Sequence, residues 1–231
     1  GPAIIQPDGY QKWFLNGTLH RECGPAVIYP DGHQEWFFEG ELHREGGPAI
    51  TCSNGSQEWY RNGKRHREGN VASINSKGTE RWYLNGKLHR EGGPAVTHSS
   101  GKQEWFFKGE RHRKDGPAIL SEDGKQEWYL NGKCHREGAP AILSEDGRQE
   151  WYYFEGVCHR EDGPAIVYFD GHQEWYLNGK LHREEGPAIL CLNGTQKWYL
   201  NGKLHRESDL PAIVCLNGRQ LWYRNGKLHR E

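Results

Sequence analysis

Methionine is absent from these 231 residues, and so is any stretch resembling a membrane span. A bilayer crossing by a helix needs roughly 20 consecutive apolar residues, and no run here approaches that. No basic segment followed by an apolar stretch marks a secretory leader. Net charge is also missing: 30 Lys and Arg against 31 Asp and Glu leave a formal charge of −1, with both signs interleaved throughout. Nucleic-acid binders draw much of their affinity from neutralising phosphates and show a basic excess or stripe. The balance therefore argues against nucleic acid and makes a membrane partner held by charge alone unexpected. Apolar residues are scarce as well, at 34% with a mean hydropathy of −0.98, which excludes a thick globular core. The 12% aromatic content nevertheless exceeds what a disordered chain carries. The fold must use large flat side chains spread along a thin structure.

Length alone suggests one or two domains, but an internal period overrides that expectation. All ten tryptophans fall on one ladder: Trp13, Trp36, Trp59, Trp82, Trp105, Trp128, Trp151, Trp175, Trp198 and Trp222. The step is 23 residues, with two steps of 24. A second ladder runs His20, His43, His66, His89, His112, His135, His159, His182, His205 and His229. Arg follows every one of these histidines, and Glu follows Arg except at Lys114. The unit reads G-P-A-I-x-x-x-D/N-G-x-Q-E-W-Y-x-N-G-K-x-H-R-E-x. A single array thus covers 1–231, with units at about 1–23, 24–46, 47–69, 70–92, 93–115, 116–138, 139–162, 163–185, 186–209 and 210–231. The chain starts without Met and is cut in repeat register, as a fragment, a processed product or a trimmed chain would be.

Two turn signals recur in each unit. Asn-Gly, as at Asn16-Gly17, Asn62-Gly63 and Asn131-Gly132, tolerates positive φ at both residues and signals a tight hairpin. Asp-Gly, as at Asp8-Gly9, Asp31-Gly32 and Asp123-Gly124, marks the opposite end. Between them lie short aromatic and β-branched runs such as Gln126–Leu130 and Pro117–Leu120, which read as strands, and no segment has a helical period. The expected fold is all-β: an elongated single-layer antiparallel meander, or solenoid, of ten β-hairpin repeats. Two strands per unit give about twenty, spanning roughly 95 Å at ~4.8 Å per strand. Alternation puts Trp128 and Leu130 on one face and Tyr129 on the other. Stacked Trp, joined by the Ile or Val of each G-P-A-I, would then form an apolar structural ladder. Asn70-Val71-Ala72-Ser73 replaces G-P-A-I and reads as a weak unit, and extra residues near Tyr153-Phe154 and Ser208-Asp209-Leu210 read as bulges.

The string W-x-x-N-G-K-x-H-R-E at this period resembles the MORN repeat, whose units carry W-x-N-G-x-x-H-G and build one twisted antiparallel sheet. The fuller form, with H-R-E-x-G-P-A-I, D-G and Q-E-W-Y, is similar to MORN-like arrays encoded by giant viruses and phages. The likeness covers the whole chain. It departs in having Arg after His where the usual unit has Gly, as at His20-Arg21. The resemblance implies a repeat scaffold or oligomerisation unit, in the cytoplasm or associated with a virion; some relatives bind lipid.

Ten copies of His-Arg-Glu invite a catalytic or metal reading. Catalysis needs one asymmetric pocket whose groups are tuned apart, whereas repetition offers near-identical environments. No catalytic residues are assigned; Arg and Glu are expected to pair and His to satisfy turn backbone groups. Zinc needs donors within about 2.3 Å of one point, and two strands per unit separate equivalent histidines by ~9–10 Å, so no metal and no other cofactor is expected. The six cysteines, Cys23, Cys52, Cys134, Cys158, Cys191 and Cys215, include no C-x-x-C. Matched pairs in adjacent units exceed the ~6.8 Å Cα separation a disulfide tolerates, so free thiols in a reducing compartment are expected. The Asn-Gly-Thr/Ser sequons at Asn16, Asn54 and Asn193 coincide with turns where Asn-Gly is expected anyway.

The remaining candidate surface is an aromatic ladder, Tyr60, Tyr83, Phe106, Tyr129, Tyr152, Tyr176 and Tyr199 among its members. Exposed aromatic rows often mark partner surfaces; packed on neighbouring strands they would stiffen the sheet instead. The leading expectation is a non-enzymatic structural protein that self-assembles or scaffolds a larger assembly. Its partners would be other protein chains, copies of itself end to end included, because neither terminal unit carries the polar cap usual in arrays. The alternative is a monomeric protein-binding module presenting the aromatic face.

Overall fold

A computed structural model describes residues 4–147 and 149–230. Every element among them is a β-strand, and no helix is present. Contacts divide the chain into two compact units, Gly1–His112 and Arg113–Glu231, and the same repeat builds each.

The second repeat illustrates the construction. It contains four two-residue strands, Val27–Ile28, Gln34–Glu35, Phe37–Phe38 and Glu41–Leu42, where two continuous strands were expected. Val27–Ile28 and Gln34–Glu35 pair across the Asp-Gly turn. Asp31 closes that turn by accepting the His33 N–H at 3.0 Å, and Gly32 supplies the left-handed φ of 87°. Gln34–Glu35 then pairs with Ile50–Thr51 of the next repeat, so an antiparallel meander runs from repeat to repeat. Phe37–Phe38 and Glu41–Leu42 form a separate hairpin around Glu39 and Gly40, both at positive φ (50° and 83°).

The strand breaks at tryptophan because that residue changes partners. The Trp36 N–H donates to Ala49 O of the following repeat at 2.7 Å, while Trp36 O accepts the His43 N–H of its own hairpin at 3.0 Å. One residue thus hinges the meander to the small hairpin. Neighbouring hairpins are joined in turn, as when Arg44 N–H donates to Tyr60 O (3.3 Å) and Gly63 N–H to Leu42 O (3.0 Å).

The core keeps part of the expected aliphatic row, with Val27, Val96, Ile119, Ile166 and Ile189 buried, but the tryptophans do not join it. Alanines form the fully buried row: Ala26, Ala49, Ala72, Ala95, Ala118, Ala141, Ala165, Ala188 and Ala212 are each 0% exposed. At Ala49 both backbone groups are bonded, to Trp36 and to Glu58, and only a methyl fits between chains approaching so closely. Every described Trp is half-buried. The aliphatic residue after alanine lies on the face of Glu and Tyr rather than with Trp. Ile50 stands opposite Glu58 and Thr51 opposite Gln57, opposed residues share a face, and the Tyr60 hydroxyl donates to Glu58 at 2.9 Å. The five-residue Asp-Gly loop sets this register, and a slip of one residue exchanges the faces.

Both insertions are absorbed in loops. In the seventh repeat the loop-closing bond runs from Ser144 N–H to Gln149 O, one residue longer than Ser121 to Lys125 in the sixth. The bulge expected near Tyr153-Phe154 is therefore relocated to the Asp146-Gly147 turn. Everything up to the next turn slides by one: Trp151 pairs with Ile142 in the slot usually held by Glu, and Tyr152 becomes the hinge. The extra residue of the ninth repeat sits in a loop with Ser208 and Asp209 at φ 62° and 57°. The fourth repeat keeps the common register despite its altered sequence: Val71, Ala72 and Ser73 are buried, and Ala72 bonds Arg81 and Trp59 as its counterparts do.

Candidate functional site

Because the chain turns at the hinge, the Arg of each His-Arg-Glu is carried back over the hinge aromatic of its own repeat. Guanidinium carbons lie 3.8 Å from the ring centre at Arg21/Trp13, 4.0 Å at Arg44/Trp36, 3.9 Å at Arg90/Trp82 and 4.0 Å at Arg183/Trp175. In the seventh repeat Arg160 covers Tyr152, at 4.0 Å, and not Trp151. Most of these guanidinium groups also donate through Nη1 to the carbonyl four residues on, as Arg44 does to Pro48 at 3.1 Å, while Arg206 reaches Pro211 five residues on at 3.2 Å. The Gly of Gly-Pro completes the slot: a Cβ on Gly47 would stand 2.8 Å from the Arg44 guanidinium carbon. Where Asn70 fills this position the stack is looser, 4.2 Å for Arg67 over Trp59, although Ala139 is accommodated with Arg136 at 3.9 Å from Trp128. The expected Arg–Glu pairing thus gives way to a planar cation held between an indole and a glycine, which suits the flat, weakly hydrated guanidinium.

Histidine reaches forward. Its Nδ1 accepts the turn N–H of the next repeat: Glu39 to His20 (3.1 Å), Asn178 to His159 (3.1 Å), Asn201 to His182 (3.2 Å) and Asn225 to His205 (3.1 Å), whereas His43 Nδ1 lies nearer the Asn62 side-chain oxygen (2.8 Å) than the Asn62 N–H (3.3 Å). An acceptor Nδ1 puts the ring proton on Nε2, which faces the Glu of the same motif, at 2.8 Å for His205 and Glu207 and 3.7–4.0 Å in five other repeats. Those glutamates are largely exposed. Motif residues that resemble catalytic machinery are therefore engaged in joining one repeat to the next.

The aromatic ladder is half-buried at Tyr60, Tyr83, Phe106, Tyr129, Tyr176 and Tyr199; Tyr152 has left it for the hinge, and Tyr153 takes its place opposite Cys158. Tyr60 belongs to a polar cluster in which Arg65 Nε and Nη2 hold Glu58 at 2.9–3.0 Å. Burial first, and the bond to Glu58 second, push the Tyr60 hydroxyl up to about 12. Glu104 gathers His98 (2.8 Å), Lys102 (3.2 Å) and Arg111 (3.1 Å). Burial alone would raise its carboxyl, yet these partners outweigh it and hold it below the ordinary value. All six cysteines are free. Burial pushes the thiols of Cys134 and Cys158 up to about 12, which leaves them poor nucleophiles. Among the described residues no group of three or more His, Cys, Asp or Glu could hold a metal ion.

Sequence reasoning missed the grooves. Between successive His-Arg-Glu-x-Gly-Pro segments lies a shallow trough with the hinge Trp and the residue two beyond it on the floor. One of about 750 Å³ runs between Arg160–Pro164 and His182–Glu185 over Trp175 and Leu177. Its neighbour, of about 720 Å³, has Trp198 and Leu200 beneath it and shares the Arg183–Glu185 wall. Equivalents occur in the other unit beside Trp36 and Trp59. The repeat period itself was the signal for them. A second surface was also missed: the turn position before Asp or Asn in Asp/Asn-Gly carries Phe169, Leu192 and Leu216, which are 68%, 70% and 75% exposed. No protein-family model and no curated protein matches the chain.

Proposed function

We propose that this chain is a non-enzymatic repeat scaffold of MORN-like type, which holds other protein chains, copies of itself included, along a periodic surface. One observation carries the reading: the Arg and His of the repeated motif are engaged in the Arg–Trp stack and the His–turn bond, so the chemistry is structural and recurs from unit to unit. A catalyst would need one place where such groups are tuned differently. Repetition instead supplies many equivalent contact points, which suits assembly and multivalent binding.

The test is negative-stain electron microscopy of the purified chain over a hundredfold concentration range. Ordered stacks or filaments support self-assembly. Dispersed single particles at every concentration would refute it and leave the monomeric binding module. For that module the grooves are the better contact surface, because the rings of Tyr60 and its counterparts are half covered and several hydroxyls are already bonded, as in Tyr60 to Glu58 and Tyr129 to Glu127.

A further inference from the structure

We propose that the two adjoining grooves of repeats 7–9 bind a basic polyproline-II peptide with a cationic side chain at every third position. This rests on the scaffold reading and names the ligand class that one stretch of the scaffold would take.

Charge sets these grooves apart. Glu161, Asp162, Glu184, Glu185 and Glu207 rim them. The three arginines present are turned inward and already engaged. Arg160 lies on the Tyr152 ring and pairs with Asp162 at 2.9 Å, while Arg183 and Arg206 lie on Trp175 and Trp198 and donate to Pro187 O and Pro211 O. The acids stay exposed even where one is paired, as Asp162 is with Arg160: Asp162, Glu161, Glu184 and Glu207 side chains are 85%, 83%, 81% and 74% exposed. In the other unit the groove beside Trp36 sets Arg21 and Arg44 against Glu22 and Glu45, and the groove beside Trp59 adds Arg61. Among these four grooves the negative excess belongs to the two of repeats 7–9, where the floor is apolar: Trp175, Leu177 and Pro164 in one groove, Trp198, Leu200 and Pro187 in the next.

Spacing selects the ligand's backbone. Successive repeats are offset by two strands, about 9.6 Å. A polyproline-II helix rises about 3.1 Å per residue with three residues per turn, so every third side chain returns to the same face after about 9.3 Å. One cation can then reach each rim while proline rings rest on the Trp, Leu and Pro floor, the usual mode of proline-rich recognition by aromatic grooves. A helix matches less closely: seven residues return a side chain to nearly the same face but advance about 10.5 Å.

The probe is a fluorescein-labelled (Lys-Pro-Pro)4 peptide titrated against the full chain and read by anisotropy. Two controls are (Glu-Pro-Pro)4 and a peptide of the same composition with its four lysines contiguous. Saturable binding of (Lys-Pro-Pro)4 is expected, at least fivefold tighter than the contiguous-lysine peptide, with none of the glutamate peptide. Combining Asp162→Asn, Glu184→Gln and Glu185→Gln, all on exposed side chains, should weaken binding at least tenfold. The matched change Glu22→Gln with Glu45→Gln should leave it unaltered. No binding, equal binding of the two lysine peptides, or full binding by the triple variant each overturns the proposal. None of these results bears on the scaffold reading, which the microscopy decides.

Discussion

Replacing Arg44 by Lys keeps the charge and should still cost most of what deletion costs. The Arg44 guanidinium lies 4.0 Å above Trp36, donates to Pro48 O at 3.1 Å and presses against the Gly47 Cα so closely that a Cβ there would come within 2.8 Å of its central carbon. A half-buried cation–aromatic contact contributes about 1–2 kcal/mol. A hydrogen bond from a charged donor contributes about 1.5 kcal/mol or more. Partial overlap of the two puts Arg44→Ala at about 2–3 kcal/mol. Lysine's compact ammonium cannot lie flat between indole and glycine, so Arg44→Lys should lose about 2 kcal/mol. The assay is urea unfolding followed by circular dichroism, with a double-mutant cycle against Trp36→Leu to isolate the pair. A coupling of about 1–2 kcal/mol is expected. A lysine variant as stable as the parent, or a coupling near zero, would refute the stacked-cation account.

Further perturbations follow from the same contacts. Ala49 is fully buried with both backbone groups bonded, so Ala49→Leu should destabilise by about 1–3 kcal/mol through overpacking, measured by the same unfolding assay. Glu39 sits at φ 50°, where most sister repeats have Asn; Glu39→Asn should raise stability by about 0.5–1 kcal/mol, since Asn tolerates the left-handed region better, and a loss would contradict the turn assignment. Tyr60 is held protonated to about 12, against an ordinary tyrosine value of 10.0. Its raised value means that the stability it lends is complete below pH 10 and lost as pH climbs from 10 towards 12. Absorbance titration near 295 nm should show a late phenolate step that Tyr60→Phe removes.

Much of the architecture was legible because repetition displays each constraint many times over. The period located the hinges except in the seventh repeat and in the tenth, whose strand Gln220–Arg224 runs through Trp222 unbroken, and Asn-Gly and Asp-Gly named both turns through their tolerance of positive φ. Faces were harder. Alternation correctly set Tyr129 against Trp128, but whether Ile119 joined one or the other depended on the register across a five-residue loop, and no local pattern states that register. The seventh repeat shows the same limit. Spacing from Asp146-Gly147 to Trp151 is ordinary, so the sequence offered no sign that the longer loop pushes Trp151 out of the hinge and brings Tyr152 in. Arg was expected to pair with Glu of its own or a neighbouring unit; the hinge carries it over an indole instead, and a planar cation packs there better than beside an exposed carboxylate. The grooves were harder to read than the period that signals them, since they exist only once successive His-Arg-Glu-x-Gly-Pro segments stand side by side.

The histidines of the repeated motif join neighbouring repeats through the turn N–H they accept. Amide hydrogen exchange at Asn178, read by NMR in the parent and in His159→Ala, tests this bond. The Asn178 N–H donates to His159 Nδ1 at 3.1 Å, so its exchange should accelerate at least tenfold in the variant, while the Ala165 amide, bonded to Glu174 O, stays protected. Unchanged exchange at Asn178, with the fold intact, would contradict a structural role for the histidine ladder.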